Sequence, residues 1–432
     1  MPDTKTVSFY TLGCRLNQAE TALIEESFIQ EGYRVVPFSQ PADLCIINSC
    51  TVTEKGDADC RKTVRRFKRN NPEGHVAVVG CYSQVAADEV SRIPGVNLVV
   101  GTREKMSLAS QIETLDLNRT RPLILKNSLK KQDSFSIDIT SADQSNVRAN
   151  LKIQDGCDFF CSYCVIPYAR GRSHSRRLDN LLEEARHLVD YGHRELVLTG
   201  INVGTYHYRG KTLLHVIREL EKIPGLDRIR ISSIENTTFT KEFLQYMADS
   251  DKLCSFLHLP LQSGSDDILI RMNRKYTTRQ FEAVLEQAVN IVPGIAIGTD
   301  VIVGFPGETD EHFEETFRFL EKFPFAYFHI FSYSDRSLAK ASKFNNKVDA
   351  KTIKQRSKIL RGLGQHKKNA FYEKQIGKTV DVLFEQKKKN GWTGHNENYI
   401  LVQAESSENL KNKILPVTIN RIEDQTAIGT LV

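Results

Sequence analysis

Three cysteines, Cys157, Cys161 and Cys164, stand at the spacing C-x3-C-x2-C inside the stretch KIQDGCDFFCSYC. Structural zinc takes four ligands, and iron–sulfur clusters usually take four thiolates. A three-thiol set therefore either recruits a distant fourth ligand or leaves one metal position open. The nearest histidine, His174, follows Cys164 by ten residues, which is not a common zinc spacing. The residues favour a [4Fe–4S] cluster on three thiolates, with one iron free of protein ligands.

Three further cysteines, Cys14, Cys50 and Cys81, each close a short apolar run: VSFYTLGC, LCIINSC and HVAVVGC. In open parallel sheets, ligands gather beyond the carboxyl ends of the strands. The three thiols are therefore expected to meet in one place. Cys45, Cys60 and Cys254 lack this placement and read as small buried residues. The N-terminal MPDTKTVSFY carries no basic and apolar leader, and no apolar run reaches membrane length. Nine cysteines in such a chain point to a reducing compartment, the cytoplasm, where grouped thiols serve metals or catalysis more often than disulfides.

The elements that must position these thiols follow from hydrophobic periodicity. Residues 1–115 alternate short apolar strands with helical stretches such as NQAETALIEESFIQEGY, which predicts a parallel α/β domain. Residues 116–146 are polar and aperiodic and read as a linker. From 147 to 366 the alternation restarts, with LKIQDGC, RELVLTG, RIRISSIE, SFLHLPL, IAIGTDVIVG and FAYFHIFSYS as strands. Six strand–helix units fit an incomplete (β/α)6 barrel, since a closed barrel has eight. Residues 367–432 read as short strands with polar turns, a small OB-like β-barrel in which Trp392 and Tyr399 are candidates for stacking on bases, Trp392 reading equally well as a core or turn aromatic.

Net charge is +6, and its distribution says more than its size. The stretch CRKTVRRFKRN holds Arg61, Lys62, Arg65, Arg66, Lys68 and Arg69 and no acid. Residues 340–378 hold a dozen basic residues against Asp349 and Glu373. Two such runs in one chain suit a polyanionic partner, because each neutralised phosphate releases counterions.

These features resemble a known family. C-x3-C-x2-C on the first strand of a six-unit barrel is similar to the radical S-adenosylmethionine (SAM) superfamily. TLGCRLNQAE, NSCTVT, GCYSQ, LTGINVGTY, HLPLQSGSD and GTDVIVGFPGET narrow the resemblance to the methylthiotransferases, whose order is a cluster domain, a radical-SAM barrel and a C-terminal TRAM domain. Arg15 and Ser49 stand where lysine and threonine are more usual. The resemblance implies that Cys14, Cys50 and Cys81 hold a second [4Fe–4S] cluster with an open iron. Two SAM molecules are then used per turnover: one methylates a sulfur on that cluster, the other yields the radical that takes hydrogen from the substrate carbon. By the same resemblance, the barrel cysteines are catalytic, and Tyr163, Gly200, Ser233, Gln262 and Gly304 contact SAM.

TLGCRLNQ, NSCTVT and RKTVRR most resemble the branch that acts on N6-threonylcarbamoyladenosine in tRNA. The implied product carries a methylthio group on carbon 2 of that adenosine, next to the anticodon. The implied partners are the tRNA anticodon stem-loop and a reductant protein such as a flavodoxin or ferredoxin, with the enzyme a monomer and no membrane involved. Two substrate alternatives lie within the same chemistry, isopentenyladenosine in tRNA and an aspartate of a ribosomal protein. A different class of alternative is a non-catalytic iron–sulfur RNA-binding protein.

Overall fold

The computed structural model describes residues 4–129, 132–139 and 147–432. The N-terminal domain is built on six strands, all parallel: β1 Thr6–Thr11, β2 Arg34–Val35, β3 Leu44–Ser49, β4 His75–Gly80, β5 Leu98–Val100 and β6 Leu123–Leu125. Their spatial order is β2-β1-β3-β4-β5-β6. Every residue of β3 is buried, as expected for a parallel strand covered on both faces. Helices α1 (Arg15–Gln30) and α2 (Glu54–Asn70) supply the covers. Leu44 and Ile46 pack with Ile24 and Phe28 of α1, whereas Cys45 and Ile47 pack with Val64 and Phe67 of α2. The period of two along β3 thus serves both faces. Cys45, Cys60 and Cys254 are buried, in accord with the structural role expected of them.

The sheet runs beyond the expected boundary at 115. Strand β6 pairs with β5 from Leu98↔Leu123 to Val100↔Leu125, inside the segment read as linker. Three residues are too few to show a period among polar neighbours. Ser134–Phe135 likewise pairs with His174–Arg176.

The central domain has six parallel strands in chain order: Arg148–Lys152, Glu195–Thr199, Arg228–Ile231, Phe256–His258, Ala296–Val303 and Tyr327–Ser332. A single bridge, Ile229↔Leu253, links the first three to the last three. Among the described residues the sixth strand does not pair back to the first, so the barrel is open. Helix Ala350–Glu373 then carries the chain across the expected boundary at 366 without a break.

The C-terminal domain is a closed barrel of five strands. Trp392 is buried in its core with Val382, Phe384 and Val402. Of the two readings open for Trp392, core aromatic and base-stacking ring, the structure shows the first: its ring lies in the barrel interior. Among the described residues no helix is long and apolar enough to cross a membrane.

Candidate active site

Cys14, Cys50 and Cys81 lie just past the ends of β1, β3 and β4, which are neighbours in the sheet and run the same way. Cys14 caps the N-terminus of α1, and Cys81 begins the helix Cys81–Val85. The turns before them need glycine. Gly13 and Gly80 both have φ +95°, and a Cβ on Gly13 would lie 2.9 Å from the Cys50 Sγ. Such backbone positions are closed to other residues without strain. Burial pushes the Cys50 thiol up to about 12, and the neighbouring Cys81 and Cys14 push it in the same direction. Burial also raises the Cys81 thiol, with Arg170 and Lys105 drawing it back. The three thiols thus lie close enough for their charges to act on one another.

The second set sits in the loop after the first barrel strand. Backbone N–H groups of Phe159 and Ile166 point at the Sγ atoms of Cys157 (3.5 Å) and Cys164 (3.4 Å), and Arg274 Nη1 donates to Cys161 Sγ at 3.3 Å. Arg274 is itself held by an ion pair with Glu235 and by bonds to Tyr276 Oη and Pro260 O. Burial pushes the thiols of Cys157 and Cys164 up to about 11 and about 12. Burial thus favours their protonated forms, and a bound metal would have to draw off the protons. Donors aimed at sulfur are what tune iron–sulfur clusters, so the barrel set fits such a group, and in the N-terminal set the Val52 N–H bonds the Cys50 sulfur in the same manner. His174 does not complete a zinc site by its Nδ1, which bonds the Arg172 carbonyl at 2.8 Å while the ring packs on Phe135.

A cavity of about 1000 Å³ runs from Cys14 into the barrel and on to the C-terminal domain. Of the five expected SAM contacts, Gly200 and Ser233 line it. Gln154 Oε1 accepts from the N–H groups of Ile201 and Asn202, each at 2.9 Å, and so fixes the turn at Gly200. The other three lie off this cavity's lining. Tyr163 packs with Met272 and Phe305, its hydroxyl 3.5 Å from Arg274. Gln262 has φ +68° and is bonded by its backbone to Asp300 and Ile302. Gly304 is pressed against Ile353, which a Cβ would approach to 2.3 Å.

The sequence reading missed two polar groups. In the cavity, His258 and His329 both bond Asp300, at 2.9 and 3.1 Å, and hold its carboxyl below the usual range against the effect of burial. Between the domains, Glu20, Lys105, Lys152, Asp155 and Arg170 form a buried ion network.

The six basic residues of α2 divide by partner. Arg61 bonds Tyr82 Oη at 3.0 Å and Glu89, and Lys68 bonds the Gly74 carbonyl at 2.9 Å. Arg66 lies over the rings of Tyr10 and Phe38 at 4.9 and 4.5 Å. Lys62, Arg65 and Arg69 are exposed, Lys62 beside Asp59 at 3.8 Å.

The open barrel and its three-thiol loop define a radical SAM enzyme, and the model of the radical SAM superfamily matches residues 151–320. A second model, described as uncharacterized protein family UPF0004, matches residues 6–101. The solved radical S-adenosylmethionine methyltransferase TsrM from Kitasatospora setae shares the fold, with a TM-score of 0.56 at 17% identity over 76% of this chain and 73% of that one. The chain is 40% identical to the threonylcarbamoyladenosine tRNA methylthiotransferase MtaB of Aquifex aeolicus, over 92% of this chain and 96% of that one. It is 38% identical to the MtaB of Bacillus subtilis, over 96% and 93%. It belongs to the radical SAM methylthiotransferase family that contains these MtaB proteins.

Proposed function

We propose that this protein converts N6-threonylcarbamoyladenosine beside the anticodon of tRNA to its 2-methylthio derivative. The reading rests on one observation above others: near-full-length similarity to MtaB proteins in a chain whose two three-cysteine sets come from two docked domains. Cys157, Cys161 and Cys164 would hold the cluster that works with SAM, and Cys14, Cys50 and Cys81 a second [4Fe–4S] cluster. Bound together, clusters and SAM supply C–H activation and the methylthio group.

The chain's own residues do the positioning. Arg274 donates to Cys161 and is locked by Glu235. Gly200 and Ser233, which line the cavity, would contact SAM together with Tyr163, Gln262 and Gly304. The cavity begins at Cys14, so a base splayed out of its loop can reach both domains. Arg65 and Arg69, with the basic face of helix Ala350–Glu373, bind the tRNA backbone. A flavodoxin- or ferredoxin-type reductant delivers electrons, and the enzyme acts as a monomer in the cytoplasm.

The test is deletion of the gene in its host, followed by digestion of bulk tRNA and mass spectrometry. Loss of 2-methylthio-N6-threonylcarbamoyladenosine, with its unthiolated precursor accumulating, is expected. Survival of the methylthio form overturns the assignment.

A further inference from the structure

Five ionisable side chains meet where the N-terminal domain touches the barrel. Glu20 comes from α1, Lys105 from the turn after β5, Lys152 from the first barrel strand, Asp155 from the residues just beyond it, and Arg170 from the last turn of helix Ile166–Arg170. Glu20 pairs with Lys105 at 2.6 Å, Lys152 at 2.7 Å and Arg170 at 2.9 Å. Asp155 pairs with Lys152 at 2.6 Å and Arg170 at 3.1 Å. No side chain in the group is more than 11% exposed.

The charges do not balance. Three cations face two carboxylates, which leaves one buried positive charge in excess, and an uncompensated buried charge is strongly destabilising. The largest charge effects on these five come from one another and, for Lys105 and Arg170, from the Cys81 thiol. A second observation marks where the missing anion belongs. Arg170 spends Nη1 on Glu20 and Asp155 and Nη2 on Asn17 and Glu20, but its Nε is buried without an acceptor. The thiols that its charge reaches are Cys81 and Cys50. Yet Arg170 follows Cys164 by only six residues, on the other domain's cluster loop.

We infer that Arg170 donates its Nε–H to the sulfur assembly held by Cys14, Cys50 and Cys81, and that this assembly is the counter-anion of the buried network. The inference rests on the two-cluster reading above. A cube held by three thiolates is anionic, which completes both the charge and the hydrogen bonding of the site. Arg170 is then a positioning residue: one rigid side chain, bolted to α1 through Glu20, fixes the distance between the two three-thiol sites. Hydrogen bonds to the sulfurs and nearby charge set a cluster's reduction potential. The network therefore tunes the N-terminal cluster from the barrel side.

The test uses the full chain with Cys157, Cys161 and Cys164 replaced by alanine, reconstituted anaerobically so that a single cluster reports. Redox titration followed by electron paramagnetic resonance gives its potential. Arg170→Met should lower the potential, because a cation and a donor are lost. Arg170→Lys keeps the charge and removes the Nε–H, so its shift is smaller and downward, and it carries the test should Arg170→Met not fold. Glu20→Gln removes an anion from the same network and should shift the potential upward. General loosening of the site would not produce opposite signs. Potentials equal to the parent's, or shifts of one sign for Arg170 and Glu20 variants, overturn the inference. A parent chain that takes up no cluster at Cys14, Cys50 and Cys81 overturns the two-cluster reading and this inference with it.

Discussion

The Arg15 guanidinium bonds the phenol oxygen of Tyr399, 384 residues further along the chain. Arg15 follows Cys14, and Tyr399 belongs to the C-terminal domain. Arg148 and Arg230, from the first and third barrel strands, lie 5.1 and 5.0 Å from the centre of the same ring. One aromatic residue, held at φ +63°, thus ties all three domains together at the cavity wall.

The contributions of ring and hydroxyl can be separated. Tyr399→Phe keeps the cation–π contacts and loses the hydroxyl's bonds to Arg15 and Arg148, at a cost of about 1 kcal/mol each. Tyr399→Ala also abandons three arginines and opens a void, for which about 3–5 kcal/mol is expected. Urea unfolding of the apo chain measures both. Equal midpoints for the two variants would show that the ring bears no load.

The basic helix yields a prediction in which neighbouring arginines behave differently. Arg65→Ala and Arg69→Ala should weaken tRNA binding and each flatten the dependence of log affinity on log salt by about 0.7–0.9. Arg66→Ala should instead lower stability, by about 1 kcal/mol, because its charge lies over Tyr10 and Phe38. Filter binding across a salt series, with thermal melts of the free protein, separates the two effects. An unchanged salt slope in the Arg65 and Arg69 variants would remove α2 from the tRNA path.

The ion network predicts an acid response. Burial alone would raise the Asp155 carboxyl, but Arg170 and Lys152 bring it down to about 2. A depressed carboxyl stabilises the folded state fully above its unfolded value, about 3.9, and loses that contribution as pH falls toward 2. The stability difference between the parent apo chain and Asp155→Asn should therefore be flat from pH 5 to 8 and shrink between 4 and 2. Urea midpoints across that range provide the check. A difference that changes between pH 5 and 8 would mean another group is titrating.

Much of this design is written locally and is legible for that reason. Three of the six strands of the first sheet, β1, β3 and β4, lead through a glycine or serine into a cysteine, so the convergence of Cys14, Cys50 and Cys81 follows from parallel-sheet geometry. The barrel strands announce themselves by the same alternation. The ion network is harder to see, because Lys105, Lys152, Asp155 and Arg170 look like surface charges until two domains dock over them. One signal was present: Asn17 and Glu20 share the buried stripe of α1 with Leu16, Ile24 and Phe28. A carboxylate on an apolar face needs a buried partner. Strand β6 and the burial of Trp392 depend on pairing and packing that no local period encodes.

The two thiol sets should fail differently when broken. Cys81→Ala leaves the barrel loop intact, so reductant and SAM should still yield 5′-deoxyadenosine while methylthio transfer to tRNA is abolished. Cys161→Ala removes the sulfur that Arg274 bonds and should abolish both. Cys45→Ala, in the core between β3 and α2, should alter stability alone. Chromatography of the SAM products and mass spectrometry of the tRNA read the two activities in one anaerobic reaction. If Cys81→Ala loses SAM cleavage while folded and still carrying the barrel cluster, the sets do not divide the labour. The N-terminal thiols would then support the barrel chemistry itself, and their convergence beyond β1, β3 and β4 would need another explanation.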